Sequence, residues 1–260
     1  MLKVSVITVV KNRKDTILRA IKSVYDQDHK NIEYIIVDGQ SVDGTVDIIS
    51  DAISNKTKFI SQNDRNMYEA INTGISNATG EIIGLLHSDD FFSNNSVVSN
   101  IAAIFSHKKI DLLYGDVEFF DRKNIFRTTR YYRSNFFRPN LLKFGLIPAH
   151  TSIFMRRELI DRVGLYKTNF KIAGDFEYLC RIFSDQNLKY YYLPATLVKM
   201  QSGGISNYSL RSRILTNYEL NIAARINNLG TNRFILSLRY FYKIFESLIF
   251  MFKKNNDNTK

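Results

Sequence analysis

Two rhythms of apolar residues alternate along the first 120 positions. Val4–Val10 is a continuous β-branched run, which reads as a strand buried on both faces. Residues 16–25 then place Ile17, Leu18, Ile21 and Val24 at helical spacing, and 34–37 is a second buried strand. The alternation continues with a helix over 43–53, capped by Asp43 or Thr45, a strand at Lys58–Ser61 and a helix over 67–78. A strand over 81–87, a helix over 97–105 and a strand over 111–119 complete it. Strand–helix alternation of this kind predicts a parallel sheet with helices on both faces.

The second half is less regular. Residues 119–145 are rich in Arg, Tyr and Phe, 151–155 reads as a strand, 176–183 as a helix, and 210–252 as helical throughout. No internal repeat or low-complexity tract stands out.

In an open parallel sheet, ligands sit beyond the carboxyl ends of the strands. The four strand ends of the first half deliver Lys11-Asn12-Arg13, Asp38-Gly39-Gln40-Ser41, Gln62-Asn63-Asp64-Arg65 and Ser88-Asp89-Asp90 to one rim. The adjacent carboxylates Asp89 and Asp90 repel one another unless a cation or hydrogen-bond donors compensate them. A hard divalent ion sharing them with a diphosphate would do so, and a pair of helix-capping acids is the alternative. In Ala173-Gly174-Asp175-Phe176-Glu177, Asp175 begins a helix, where it serves either as an N-terminal acid or as a general base for a hydroxyl.

Composition narrows the field. The 260 residues are 45% hydrophobic and 23% charged, ordinary for a globular chain, so one compact domain is the expectation. A single cysteine, Cys180, cannot form an intrachain disulfide, which points to a reducing, cytoplasmic setting. The N-terminus reads as a strand, not as a secretion signal. The net charge of +11 predicts a polyanionic partner, and the chain from Ser206 onward holds nine Lys/Arg against three acids.

The ordered set Ser5-Val6-Ile7-Thr8-Val9-Val10-Lys11-Asn12, Val37-Asp38-Gly39 to Thr45, Asp64 with Tyr68-Glu69-Ala70-Ile71-Asn72, Thr79-Gly80-Glu81, Ser88-Asp89-Asp90, Gly174-Asp175-Phe176-Glu177 and Gly203-Gly204-Ile205-Ser206 resembles the family 2 inverting glycosyltransferases. The resemblance runs from Lys3 to about Ser206. It implies the GT-A fold, with a mostly parallel central sheet, helices on both faces and helices at the C-terminus. Residues 1–206 would be the catalytic domain, with a nucleotide-sugar-binding half over 1–118 and an acceptor half over 119–206, and 207–260 a basic amphipathic extension.

The resemblance also implies roles. Thr8, Asn12, Asp38 and Asp64 would hold the nucleoside, Ser88 and Asp89 would lie over the ribose and diphosphate, and Asp90 would ligate Mn²⁺ or Mg²⁺. Asp175 would be the catalytic base, with Glu177 in reserve. His150, Glu177, Gly203 and Gly204 are candidate acceptor or phosphate contacts, His150 being equally readable as structural. A UDP-sugar donor follows by the same resemblance, and an acceptor on a polyprenyl diphosphate would suit an enzyme held close to a membrane. Many members carry two acids where this chain has Asp38-Gly39, and Glu-Asp where it has Gly174-Asp175.

A nucleotidyltransferase is the enzyme alternative, but 9–13 lacks the Gly-rich phosphate loop expected of one. A catalytically inactive binding module is the other alternative. The Arg- and Tyr-rich stretch 127–138 suits sugar stacking or a lipid-linked phosphate. No nucleic-acid-binding signature accompanies it, so nucleic acid is not expected as a partner. In 234–254, Arg239, Lys243 and Glu246 share one helical face opposite apolar and aromatic residues. Such a helix suits an anionic membrane surface, giving a peripheral protein on the inner face of the cell membrane, or packs on protein, including a homodimer mate.

Overall fold

The computed structural model describes residues 1–202 and 210–240. The β-branched run at the N-terminus becomes β1 (Val4–Val10), buried at every position, because it lies in the middle of the sheet with parallel neighbours on both sides. Alternate residues face two cores: Ile7 and Val9 point into one, Val4, Val6 and Val10 into the other. The elements follow in the order α1 (Ile17–Tyr25), β2 (Ile32–Asp38), α2 (Thr45–Ala52), β3 (Lys58–Ser61), α3 (Met67–Asn77), β4 (Ile82–Leu85), β5 (Phe91–Phe92), α4 (Val97–His107) and β6 (Leu112–Phe120). Then come β7 (Thr128–Tyr132), β8 (Phe154–Arg156), α5 (Arg157–Val163), α6 (Gly174–Ser184), β9 (Tyr190–Gln201), α7 (Leu210–Ile226) and α8 (Arg233–Ser237).

The nine-stranded sheet has the order β3-β2-β1-β4-β8-β6-β9-β5, with β7 paired to β6. β1 to β4 are mutually parallel, as expected. Between β4 and β6 lies β8, antiparallel to both, so β6 still runs in the direction of β4. The carboxyl ends of β1, β2, β3, β4, β6 and its parallel partner β9 therefore reach one rim.

Two readings of the second half need correction. The strand expected over 151–155 starts only at Phe154. His150–Ser152 is a 3-10 turn, because the Ser152 hydroxyl bonds the carbonyls of Ala149 (2.7 Å) and Gly115 (2.9 Å). The continuous helix expected from 210 breaks after Ile226 at Asn228 and Gly230, both in the left-handed region, and resumes with Asn232 capping α8. Beyond the expected boundary at 206/207, Leu220, Ala223, Ala224 and Leu236 pack in the same cluster as Ile7, Tyr68 and Phe176. Residues 241–254 of the amphipathic stretch lie outside the described residues, and Arg239 is buried beside Asn217 (2.6 Å).

Candidate functional site

The loops after β1 and β2 are knitted together at the rim. Asn12, in the left-handed region at φ 52°, donates its backbone N–H to the Ser41 hydroxyl (2.8 Å) and accepts the Val42 N–H on its side chain (2.9 Å). Asparagine tolerates that conformation. Asp38 is fully buried and receives the Ser41 N–H (3.1 Å) and the Ser61 hydroxyl (2.8 Å), so it fixes the start of the loop and the end of β3 together. Gly39 lets the Lys11 stem lie close, since a Cβ there would meet the Lys11 Cδ at 3.3 Å. Asp64 accepts from Gln62 (2.6 Å) with one oxygen, while the other is buried without a partner. Burial raises the Asp64 pKa, opposed by Gln62 and, more weakly, by the Lys11 ammonium. Thr8 is not on this rim: it is fully buried two residues before the end of β1, accepting from the Tyr34 hydroxyl (3.1 Å).

After β4 the chain turns through His87-Ser88-Asp89-Asp90, with the Asp90 N–H bonded to the His87 carbonyl (3.0 Å). Ser88 and Asp90 are buried. The next element is the short strand β5 and not a helix, so the pair caps nothing. Burial pushes the Asp90 pKa well up, and the neighbouring Asp89 charge adds to it; the Gln201 N–H and the Arg19 guanidinium oppose the shift. Arg19 reaches under the turn from α1, donating to the Asp89 carbonyl (3.0 Å) and stacking over Phe91 and Phe120. One Asp90 oxygen remains buried without a hydrogen bond. A buried, orphaned carboxylate oxygen beside a second carboxylate is a fit for a divalent cation, which takes one or two protein carboxylates and fills its other positions with phosphate oxygens and water. Among the described residues no cluster of three or more His, Cys, Asp or Glu is placed to hold a metal ion.

Asp175 sits in the first turn of α6 with its side chain 14% exposed, and its carboxylate lies 3.8 Å from His150 Nε2. The His150 ring is 5.7 Å from that of His87. Burial, and then the His150 imidazole, lower the His87 pKa, and the carboxylates of Asp175 and Asp89 both oppose that. His150 thus links Asp175 to His87, the residue that opens the acidic turn. Two open grooves of about 390 Å³ each, one beside Arg162 and Asp185, the other beside Arg225 and Phe234, contain none of these residues.

The segment that carries Asp175 is suspended from helices on either side. From α3, Asn66 donates to the Thr168 carbonyl (2.6 Å), and Asn72 brackets Tyr166, donating to its carbonyl (2.8 Å) and accepting its N–H (2.9 Å). The buried Tyr68 hydroxyl donates to the Ile172 carbonyl (2.9 Å) and accepts the Gly174 N–H (2.9 Å). From α7, the buried Glu219 carboxylate accepts the backbone N–H groups of Lys171, Ile172 and Ala173, each at 2.8 Å. A Cβ at position 174 would meet the Tyr68 ring at 2.5 Å, which accounts for glycine where many family members carry Glu. Glu177, expected as a reserve base or acceptor contact, is placed away from solvent. Its side chain is fully buried, held by Lys167 (2.9 Å) and Arg181 (3.0 Å), because α6 turns this position away from the cleft into its own packing face. Gly203 and Gly204 lie outside the described residues.

The paired acids after β4 lie beyond the strand ends of a mostly parallel sheet, where an open α/β fold places its ligands. The chain belongs to glycosyl transferase family 2, whose model it matches over residues 5–164. It is 30% identical over 192 residues to a PGL/p-HBAD biosynthesis glycosyltransferase of Mycobacterium bovis, covering 72% of each chain. To an uncharacterized glycosyltransferase of Mycobacterium tuberculosis it is 33% identical over 194 residues, 68% of each. Among solved structures, Staphylococcus aureus TarS 1–349 in complex with UDP superposes with a TM-score of 0.68 at 18% identity, covering 89% of this chain and 67% of that one. A Pyrobaculum calidifontis mannosyltransferase in complex with GDP-Man and Mn²⁺ gives 0.63 at 18%, covering 85% and 63%. The chain spans 39% of the full TarS chain. The GT-A fold expected from the resemblance is the fold of the chain. No helix among the described residues is long and apolar enough to cross a membrane.

Sequence reasoning passed over four residues at or behind the site. Lys11 stood in a rim segment already singled out, and His87 at the end of the strand expected over 81–87. Tyr68 stood inside a matching motif with no role of its own. Glu219 is a lone acid in a basic helix, and only its location opposite three free N–H groups gives it meaning.

Proposed function

We propose that the chain transfers a sugar from a UDP-sugar to an acceptor hydroxyl with inversion at the anomeric carbon. The observation that carries this reading is the chain of contacts from Asp175 to His150 (3.8 Å) and from His150 to His87 (5.7 Å between rings), the residue that opens the Asp89–Asp90 turn. UDP in one structural neighbour and GDP-Man with Mn²⁺ in another support a nucleotide-sugar donor on the same rim.

In this reading Asn12, Asp38 and Asp64 hold the nucleoside, with Lys11 beside them, and Thr8 acts only through the strand. Ser88 and Asp89 lie along the ribose and diphosphate. Asp90, with its orphaned oxygen, and Asp89 hold Mn²⁺ or Mg²⁺, which supplies charge stabilisation for the departing diphosphate. Asp175 accepts the proton of the acceptor hydroxyl as that oxygen attacks the anomeric carbon on the face opposite the diphosphate. His150, 3.8 Å from that carboxylate, borders the acceptor side of the cleft. The acceptor is a lipid-linked saccharide at the inner face of the cell membrane, consistent with the net charge of +11.

The test is nucleotide release from a panel of UDP-sugars with and without Mn²⁺. Turnover is expected to need the metal and to fall by roughly 10²–10⁴-fold in Asp90→Ala and in Asp175→Asn. Asp175→Asn should bind UDP as the wild type does. Turnover by either variant within a few-fold of wild type would remove the assignment.

A further inference from the structure

The turn between β6 and β7 carries the most exposed of the large apolar side chains among the described residues, Phe126. Its backbone is closed by Asp121 N–H to the Arg127 carbonyl (2.9 Å), Asn124 N–H to the Asp121 carbonyl (3.2 Å) and Arg127 N–H to the Asn124 carbonyl (3.0 Å). The Asp121 and Asn124 side chains add bonds to the N–H groups of Lys123 (2.8 Å) and Phe126 (3.0 Å). This bonding holds the tip in one shape, and that shape presents Phe126 91% exposed with Ile125 beside it at 38%. Around the two apolar side chains stand Arg122, Lys123 and Arg127, all exposed. Arg127 makes a loose 3.6 Å pair with Asp121. Burying Phe126 against its own protein would need only a different turn, so its exposure on a hydrogen-bonded one suits an external contact.

The hairpin stands on the catalytic rim. β6 runs in the direction of β4, so its end at Phe120 is on the side of Ser88-Asp89-Asp90. The contact is direct: the Phe120 ring lies 5.2 Å from that of Phe91, and the Arg19 guanidinium that stacks on Phe120 donates to the Asp89 carbonyl.

We propose that this hairpin docks the protein on an anionic lipid bilayer. Phe126 and Ile125 enter the boundary between headgroups and acyl chains, while Arg122, Lys123 and Arg127 meet the lipid phosphates. An apolar tip within a collar of cations matches the polarity gradient of that interface. Two apolar side chains are far short of the roughly 800 Å² per partner that a stable protein interface buries, whereas a fluid bilayer asks for no complementary shape. Docking turns the rim toward the surface, so an acceptor carried on a lipid meets the cleft without leaving the membrane. This use rests on the proposed function; the contact itself does not.

The sequence contains no tryptophan, so Phe126→Trp in the full chain places a single indole at the tip. Vesicles of phosphatidylglycerol with phosphatidylcholine should shift its emission to the blue, and brominated acyl chains should quench it. Pure phosphatidylcholine should do neither. Replacing Arg122, Lys123 and Arg127 together with Ala should weaken vesicle partitioning roughly a hundredfold, about fivefold per charge. If the protein sediments with anionic vesicles while the indole neither shifts nor is quenched, it docks elsewhere and the proposal falls. Failure to sediment at all overturns it equally. UDP-sugar turnover measured on the same samples separates the two ideas: turnover without a shift loses only the docking, and a shift without turnover loses only the glycosyl transfer.

Discussion

Removing the Glu219 carboxylate tests whether α7 sets the position of Asp175, the proposed base. Its two oxygens accept three backbone N–H groups at 2.8 Å, those of Lys171 on one and of Ile172 and Ala173 on the other. A hydrogen bond to a charged group is worth about 1.5–3 kcal/mol, less whatever water restores. Glu219→Ala, at a buried position, should therefore cost about 3 kcal/mol. Glu219→Gln can keep the Ile172 and Ala173 bonds while turning its NH₂ toward the Lys171 N–H, so it should cost about half as much. At about 2–4 °C per kcal/mol, the Ala variant melts roughly 6–12 °C lower, with Gln between it and wild type.

Stability alone would not distinguish a positioning role from a merely structural one, so the kinetics must separate. Asp175 is two residues beyond Ala173, and a misplacement of about 1 Å in a reacting group costs on the order of 10²-fold. The rim residues Asn12, Asp38 and Asp64 are bonded to Ser41, Ser61 and Gln62, and not to Glu219. Assayed well below its melting point, Glu219→Ala should lose about 10²-fold in kcat while calorimetry shows unchanged UDP affinity, and Gln should recover part of the rate. A lowered melting temperature with kcat within twofold of wild type would refute the reasoning.

Two further outcomes rest on particular contacts. Gly174→Ala drives a methyl to 2.5 Å from the buried Tyr68 ring, so it should destabilise by about 1–3 kcal/mol and depress kcat more than donor KM; a silent substitution in melting and kinetics would show that the ring yields. Glu33, against the pull of its own burial, is held down at about 2 by hydrogen bonds from Ser5, Thr79 and Lys3. A carboxyl lowered on folding stabilises above its unfolded pKa of about 4.3, and that stabilisation fades as pH falls toward 2. The urea midpoint should then drop more between pH 5 and 3 in wild type than in Glu33→Gln, and parallel declines would contradict this.

The nucleotide-side half was legible because its code is local. β1 and β3 lie where their apolar runs put them, and α1, α3 and α4 follow the 3.6 spacing to within two residues. β9 went unread. Pro194 interrupts its run, its pairing with β6 is irregular near Gly115, and its burial follows neighbours far away in sequence. The direction of β8 was hidden for a related reason, since strand orientation depends on the connection and not on the strand's own residues. At the site, the acids at strand ends could be named from spacing alone, and Asp175 from its motif. Glu177 could not be sorted from Asp175 in the same way: whether an acid two positions along a helix faces a cleft or an arginine depends on what packs against the helix.

The suspension of Asp175 between α3 and α7 has a consequence for synthesis. Until residue 219 has emerged and folded back, the carboxylate has only half of its moorings, while the donor rim, built from the first 90 residues, is already encoded. On the proposed reading, a chain ending before residue 219 keeps every rim residue after β1 to β4 but lacks three of the bonds that set the start of α6.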